Sequence, residues 1–297
     1  MRGGYMELNL ASTCDVLVLG SGIAGISAAL TAAESGASVI LVCKGRLFSG
    51  SSFCPGTWGL GLVGPADEAD EADLISTIED VGCGMADDAL VRALVKGIHP
   101  AIEKVRSMGV RLRKADKGGQ QEYIPCFDHK HRDWNGIEFD SAREIFSQRL
   151  EELGVTILSG RETLELVRAD GRVCGAVITD GAELHYLGCK ALVLATGGYG
   201  SLFRHHLCTS DVEGLGQALA LEAGCRLVNM EFMQIMPGYL SPAYQTIFNE
   251  KTFRFTDLRR PDGAPLLEGE TASLLELRAT HGPFTARLPS KAVDLAI

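Results

Sequence analysis

Three glycines, Gly20, Gly22 and Gly25, have the spacing that proteins use to hold the phosphates of a dinucleotide. In this pattern the first glycine lets the chain turn sharply off a strand, and the second lets a pyrophosphate touch the backbone. The third lets the following helix pack closely against the sheet. The N–H groups and partial positive charge at the start of that helix attract the phosphates. The chemistry indicated is recognition of a phosphate-bearing cofactor.

The segments around this motif are those that a dinucleotide-binding βαβ unit requires. Residues 15–19 form a short apolar run that is typical of a buried parallel strand. The alanine-rich residues 26–35 predict a helix that ends at Gly36, and residues 38–42 predict a second buried strand. A glycine motif alone is weak evidence, but between a strand and a helix it is much stronger.

The end of the second strand bears on which dinucleotide this unit accepts. Binding NAD calls for an acidic residue about 20 residues after the glycines, where it holds the ribose hydroxyls. The strand runs instead into Cys43 and Lys44, with no carboxylate. Lys44 or Arg46 could meet the 2′-phosphate of NADP, so an NADP-binding dehydrogenase is one hypothesis.

The composition sets outer limits on function. The chain has 297 residues, 46% hydrophobic and 22% charged, which is enough to bury a sizeable core. Its net charge of −10 argues against nucleic acid or an anionic membrane as a partner. Nine cysteines without a CxxC pair argue against a disulfide scaffold or a metal centre, and favour a cytoplasmic protein. No apolar run predicts a membrane span, and residues 1–9 lack the core of a signal peptide.

The middle of the chain alternates helical and polar segments. Helical spacing is found over residues 68–109 and again over residues 140–153. Between them, residues 114–135 are polar and predict a surface loop or lid. Residue types that ligate metals occur in this loop at Asp128, His129 and His131. A solvated loop is the favoured interpretation, with a metal site as the less favoured one.

A three-stranded antiparallel meander is predicted over about residues 156–190. Strand-like runs there are separated by Asp170-Gly171 and Asp180-Gly181, and Asp-Gly between alternating runs is a strong hairpin signal. The α/β pattern then resumes with a buried strand at residues 192–194 and a helix at residues 212–224. The meander is therefore expected to be inserted in the α/β fold.

Four further stretches, in order, resemble the fumarate reductase/succinate dehydrogenase flavoprotein family, which includes L-aspartate oxidase. They are residues 45–52, 192–198, 222–225 and 229–234. The resemblance implies an α/β fold with a Rossmann-like FAD-binding domain and parallel sheet over residues 1–234. A partial α+β capping or substrate domain would follow over residues 235–297.

The resemblance also implies the activity and the cofactor contacts. An FAD-dependent oxidoreductase of this type transfers hydride between flavin N5 and a small organic acid or related substrate, with an unknown electron acceptor or donor. The implied cofactor-binding residues are Gly20, Ser21, Gly22, Ile23, Ala24, Gly25, Cys43, Lys44, Gly50, Ser51, Ser52, Glu162, Thr163, Ala195, Thr196, Gly197 and Gly198.

Several positions depart from the family pattern. Residues 48–52 lack the histidine of covalent members, which implies non-covalent FAD. Residues 214–216 read Gly-Leu-Gly instead of Gly-Asp-Gly, and Glu213 is a candidate to replace the missing polar contact. Met236 stands where the family has a dicarboxylate-binding histidine, so fumarate, succinate and aspartate are not expected as substrates.

Candidate catalytic residues lie near the C-terminal end. Arg287 matches the family's catalytic arginine with a one-residue shift, a position that implies proton donation and carboxylate binding. Glu250 and Arg254 fall where the family has a Glu/Arg pair in its capping domain, also one residue out of step. A surface arginine and a solvated charge pair are the alternative interpretations.

The family's chain continues well past the position that matches Ile297. The sequence is therefore expected to be a fragment, or to need a partner chain that supplies the rest. A non-catalytic FAD-binding fragment or subunit is thus an alternative to a complete enzyme.

Overall fold

The structure is a computed structural model that describes residues 8–54, 60–114 and 132–297. The chain forms two compact units. The first combines Met1–Pro55 with Glu138–Met230, and the second combines Gly56–Ile137 with Glu231–Ile297. No sequence pattern predicts that residues 56–137 group with the C-terminal residues. The division into an FAD-binding domain, 1–234, and a capping domain, 235–297, stays a prediction.

The elements are numbered in chain order. The strands are β1 (Leu8–Leu19), β2 (Val39–Cys43), β3 (Leu60–Gly64), β4 (Leu112–Lys114), β5 (Asp133–Ile137), β6 (Thr156–Ser159), β7 (Glu162–Ala169), β8 (Arg172–Thr179) and β9 (Leu184–Leu194). The α-helices are α1 (Ile23–Glu34), α2 (Glu68–Val81), α3 (Asp88–Ser107), α4 (Phe139–Glu152), α5 (Leu215–Glu222), α6 (Gly269–Ser273), α7 (Leu275–Arg278) and α8 (Lys291–Ala296).

The first unit is built on one six-stranded sheet in the order β6-β2-β1-β9-β8-β7. Strands β6, β2, β1 and β9 run parallel, whereas β9, β8 and β7 form the antiparallel meander. The predicted fold class, an α/β fold with a parallel sheet and a meander, is confirmed. One detail differs, because the expected strands at residues 182–187 and 192–194 are a single strand, β9. The meander therefore extends the parallel sheet.

The sheet curls around its own core. Strands β6 and β7 stand at opposite ends of the sheet order, yet only Gly160 and Arg161 separate them in sequence. Two residues cannot cross a flat six-stranded sheet, so the two edges must approach each other. Apolar side chains from β1, β2, β7 and β8 accordingly share one buried cluster, which includes Leu17, Val42 and Ile178.

Helix α1 packs on this sheet through its apolar side. Ile26, Ala29 and Leu30 are fully buried, and Gly36 ends the helical turn with φ of +84°, a conformation that glycine adopts without strain. The predicted helix at residues 26–35 is thus present, with its start three residues earlier. That earlier start places the first turn of α1 immediately after Gly22.

The second unit contains an antiparallel sheet, β3-β5-β4, and the helices α2 and α3. The carboxylates of Asp67 and Asp87 accept hydrogen bonds from backbone N–H groups and cap these two helices. The prediction of a loop over residues 114–135 is wrong at both ends, because Lys114 belongs to β4 and residues 133–135 belong to β5, and these two strands pair. The possible metal ligands Asp128, His129 and His131 lie outside the described residues.

Within residues 8–54, 60–114 and 132–297, no group of three or more His, Cys, Asp or Glu side chains has a metal-binding arrangement. Across the same ranges, no helix combines the length and the hydrophobicity that crossing a membrane requires.

Candidate cofactor site and candidate catalytic residues

Two of the three motif glycines are required by packing within the chain. A Cβ on Gly25 would lie 1.8 Å from the carbonyl oxygen of Gly20. A Cβ on Gly20 would lie 2.3 Å from the carbonyl oxygen of Ala195, and Gly20 has φ of +107°. These glycines let β1, β9 and α1 meet closely, as predicted for the first and third positions of the motif.

Gly22 differs, because the chain itself leaves space beside it. Among the residues that the structure describes, a Cβ there would have only Ser52 Oγ within 4 Å, at an ordinary contact distance of 3.4 Å. Its φ of −69° and ψ of −178° suit any residue. Gly22 is the N-cap of α1 without a side-chain capping bond, and the first turn of α1 has no acidic residue. A helix N-terminus open in this way fits an approaching phosphate.

The loop after β2 lies against this helix start. Ser52 Oγ accepts a hydrogen bond from the Ile23 N–H at 3.2 Å. A Cβ on Gly50 would come within 3.2 Å of Gly22 Cα, so Gly50 permits the close approach of the two loops. The structure therefore brings together the predicted residues of two separate motifs, with Ala24 exposed on the first turn and Ser21 buried beneath it.

Lys44 sits between two carboxylates at the end of β2. Its Nζ lies 2.8 Å from Glu162 Oε1 and 2.5 Å from Glu213 Oε2. Partial burial alone would lower the pKa of Lys44, but the hydrogen bonds that Lys44 donates to these two carboxylates outweigh it and raise the pKa. Because Lys44 is already neutralised, it is a poor site for the 2′-phosphate of NADP.

Two other predicted cofactor-binding residues, Cys43 and Thr163, are more buried than Lys44. Cys43 is almost fully buried at the end of β2, and burial raises the pKa of its thiol. Thr163 is also buried, on β7, where it pairs with Ile178. Both residues therefore shape the floor of this region and expose little of their side chains.

The end of β9 supplies the third predicted loop. The Ala195 N–H donates to the Leu19 carbonyl at 2.8 Å, and Gly198 accepts from the Gly214 N–H at 3.1 Å. Gly197 has φ of +79°, which marks a turn that favours glycine. A Cβ on Gly216 would lie 1.9 Å from Thr196 Oγ1, so α5 packs closely on this loop.

The segment between β9 and α5 contributes residues that the motifs did not reveal. Ser51 Oγ accepts from the Thr209 N–H at 3.1 Å, and Ser49 Oγ donates to Asp211 Oδ2 at 3.3 Å. Gln217 Nε2 donates to the Gly197 carbonyl at 2.9 Å. These contacts join positions 20 to 162 residues apart in sequence, and no spacing rule would have found them.

The three candidate catalytic residues all lie in the second unit, where Arg287 and Arg254 pair with different carboxylates. Arg287 Nη2 lies 3.1 Å from Asp80 Oδ2, and Arg254 Nε lies 3.1 Å from Glu276 Oε1, both pairs being exposed. Glu250 is buried, and its Oε2 has no hydrogen-bond partner among the described residues. Glu250 and Arg254 therefore do not form an ion pair with each other. Their catalytic roles remain predictions.

A buried arginine, which the sequence did not single out, organises the chain around Glu250. Arg278 is fully buried and pairs with Asp294 at 2.8 Å. It donates to the carbonyls of His281 and Gly282 and stacks over the Phe253 ring at 5.1 Å. Phe253 lies on the same 3₁₀ turn as Glu250, Glu250–Phe255. Arg278 thus connects this turn, residues 281–282 and α8.

The fold and the phosphate cradle define a dinucleotide-binding protein of the α/β class. The sequence profile of a family described as "FAD binding domain" matches residues 15–255. The chain therefore belongs to this FAD-binding family, within the fumarate reductase/succinate dehydrogenase flavoproteins, and its cofactor is FAD. The resemblance seen in the sequence is confirmed.

Individual relatives agree with this assignment. The chain is 31% identical to an L-aspartate oxidase of Streptomyces coelicolor over 77% of its length, and 28% identical to that of Neisseria meningitidis over 86%. These matches cover 41% and 51% of the relatives' own chains, so the chain spans about half their length. A flavocytochrome c3 fumarate reductase in an open conformation shares the fold, with a TM-score of 0.72 and 22% identity over 90% of this chain and 51% of that one.

Proposed function

We propose that this chain is the FAD-binding part of an oxidoreductase that moves hydride between flavin N5 and a small organic acid or related substrate. The bound flavin supplies the redox chemistry. The chain's own residues hold the diphosphate at the start of α1, position the cofactor loops and shape its surroundings. Support comes from the family membership and from relatives named as oxidases and reductases.

The observation that carries this proposal is the open backbone at Gly22. Packing within the chain requires glycine at positions 20 and 25 but leaves room for a side chain at position 22. The missing side chain there is explained by a ligand that approaches the backbone. Two buried acceptor atoms nearby, Asp211 Oδ1 and Gln217 Oε1, have no partner among the described residues, which also fits a bound cofactor.

We propose that Arg287, Glu250 and Arg254 form the substrate region. Arg287 would bind a substrate carboxylate and hold a proton near it, and its exposed pairing with Asp80 leaves the guanidinium accessible. Glu250 and Arg254 would support the same substrate region. With Met236 in place of a histidine, we propose a substrate other than fumarate, succinate or aspartate.

The second candidate function is a non-catalytic FAD-binding subunit that needs a partner chain. The observations that favour it are Leu215 and Met236, which stand where the family pattern has an aspartate and a histidine, and a relative of Helicobacter pylori that is named as a fumarate reductase flavoprotein subunit. We further propose a cytoplasmic location and non-covalent FAD. The eight described cysteines form no disulfide, and the cofactor loop at residues 48–52 has no histidine.

The first experiment is reconstitution of the purified chain with FAD. A yellow protein that keeps its colour through gel filtration and releases FAD on denaturation supports non-covalent binding. A protein that stays colourless with excess FAD would contradict the proposal, and tighter binding of NADP than of FAD would favour the dehydrogenase hypothesis.

Turnover separates the enzyme from the non-catalytic subunit. Dye reduction should be screened with a panel of small organic acids and compared between the wild type and Arg287→Ala. We expect Arg287→Ala to lose activity but to keep its FAD, because Arg287 lies in the second unit and its exposed ion pair adds only ~0–1 kcal/mol of stability. Unchanged turnover would show that Arg287 is not catalytic.

A further inference from the structure

Two buried oxygen atoms beside the predicted cofactor loops lack hydrogen-bond partners among the described residues. They are Asp211 Oδ1 and Gln217 Oε1. Each side chain uses its other polar atom on a cofactor loop, Asp211 on Ser49 and Gln217 on the Gly197 carbonyl. Buried polar atoms in native proteins nearly always have a partner, so a donor beyond the described residues is expected here, and a bound ligand is the one that the adjoining cofactor loops favour.

The type of atom restricts what that donor is. An ionised carboxylate oxygen and an amide oxygen both accept hydrogen bonds and donate none. Phosphate oxygens are acceptors too, so the diphosphate cannot satisfy either atom. Hydroxyl groups can donate to both, as can the amino and ring N–H groups of adenine and flavin, but in FAD the hydroxyls of the ribose and ribityl chain lie nearest to the diphosphate. The segment from Thr209 to Gln217 therefore has the opposite chemistry to the start of α1, where backbone N–H groups are the donors.

The position of the segment is fixed by the cofactor loop after β2. The Thr209 N–H donates to Ser51 Oγ at 3.1 Å, and Ser51 lies next to Ser52, which accepts from the first N–H of α1. The two acceptor atoms are thus tied to the loops that surround the diphosphate position. A ligand held at the start of α1 would present its sugar hydroxyls close to these loops.

We propose that Asp211 and Gln217 bind hydroxyl groups of the polyol portion of FAD, either the ribityl chain or the adenosine ribose. This inference rests on the cofactor site of the proposed function. The proposal also explains how the site can lack the aspartate of the family pattern, which Leu215 replaces in this chain. The polar contacts of this segment would come from Asp211 and Gln217, on either side of Leu215.

The test compares three ligands on the full apo chain by isothermal titration: FAD, FMN and ADP. FMN has a ribityl chain without the adenosine ribose, and ADP has the ribose without the ribityl chain. We expect Asp211→Leu to weaken FAD binding about 10-fold or more, and Gln217→Leu about 3- to 10-fold, as for lost bonds to a charged and to a neutral acceptor. Parallel weakening of FMN assigns the atoms to the ribityl chain, and parallel weakening of ADP assigns them to the ribose.

A second variant separates the acceptor atom from the tie to Gly197. Gln217→Glu keeps an acceptor oxygen but loses the Nε2 donor, so we expect its FAD affinity to stay within about threefold of wild type. Gln148→Leu is the matched control, since Gln148 is an exposed helical glutamine whose Nε2 donates to Glu152 on the same helix. Circular dichroism establishes that each variant is folded.

Three results would overturn the inference. Folded Asp211→Leu and Gln217→Leu variants with wild-type affinity for FAD would mean that water satisfies the two atoms. Equal losses in Gln217→Glu and Gln217→Leu would assign Gln217 to holding Gly197 alone. A wild-type chain that binds none of the three ligands would overturn the proposed function together with this inference.

Discussion

Replacing Gly22 with alanine should abolish tight FAD binding and leave the fold intact. The new Cβ would meet only Ser52 Oγ, at 3.4 Å, and the backbone angles of Gly22 suit alanine. We therefore expect the free energy of unfolding of the apo protein to change by less than ~1 kcal/mol. The Cβ would, however, occupy the space through which a phosphate reaches the amides of α1.

The expected loss of affinity follows from the bonds involved. Hydrogen bonds to a charged group contribute about 1.5–3 kcal/mol each, and a displaced phosphate would lose about two of them. A loss of ~3–6 kcal/mol corresponds to a roughly 100- to 20,000-fold higher Kd for FAD. The assay is a titration of the apo protein with FAD in which the quenching of flavin fluorescence reports binding. Thermal unfolding is measured by circular dichroism on the same samples.

Gly25→Ala is the matched control with the opposite expectation. Its Cβ would lie 1.8 Å from the Gly20 carbonyl oxygen, so the β1–α1 connection must shift. Overpacking of this kind costs about 1–3 kcal/mol or more, which lowers the melting temperature even without cofactor. If Gly22→Ala binds FAD as tightly as wild type, the diphosphate does not lie at this helix start, and the reasoning fails.

Three further results are expected from the rest of the chain. Arg278→Leu should lower the free energy of unfolding by about 3–5 kcal/mol, because it leaves the Asp294 carboxylate of a buried ion pair without its partner. The measurement is a urea titration, and a loss below ~1 kcal/mol would contradict this expectation. Hydrogen bonds from Lys190 and then Ser38 hold the pKa of Asp15 well below its usual value, so the stabilisation is present above pH ~4 and is lost as pH falls. Asp15→Asn should therefore be less stable than wild type at pH 7, with a difference that shrinks on acidification, and a pH-independent difference would count against it. At pH 8 a thiol reagent should modify the exposed Cys83 and Cys225 first, whereas Cys189, whose pKa burial raises to about 11, should react only after unfolding.

The elements that the sequence predicted well are those with local signals. The glycine motif, the apolar strands beside it and the two Asp-Gly hairpins are set by residues that are close together in the chain. Strand β9 was divided wrongly because Gly188-Cys189-Lys190 interrupts its apolar pattern. Pairing with β1, a strand more than 160 residues away, keeps this stretch extended, and no local pattern contains that information.

In the candidate site, too, only the residues with a local sequence signal could be predicted. The cofactor-binding glycines were found because their spacing is itself the signal. Asp211 and Gln217 were not found, because their importance depends on loops that reach them from other strands. Arg278 was also missed, since a single arginine in sequence resembles a surface charge, and only its full burial against Asp294 reveals its role.

The end of β2 shows how the structure changes the interpretation of a single residue. In the sequence, Lys44 made NADP plausible because it stands where a 2′-phosphate would be bound. In the structure the same ammonium holds Glu162 and Glu213, so a phosphate would have to displace two carboxylates from it. Two carboxylates therefore lie at the end of β2, one from β7 and one from the segment before α5. Carboxylates at this position would repel an added phosphate and would accept hydrogen bonds from ribose hydroxyls, which counts against NADP as the cofactor.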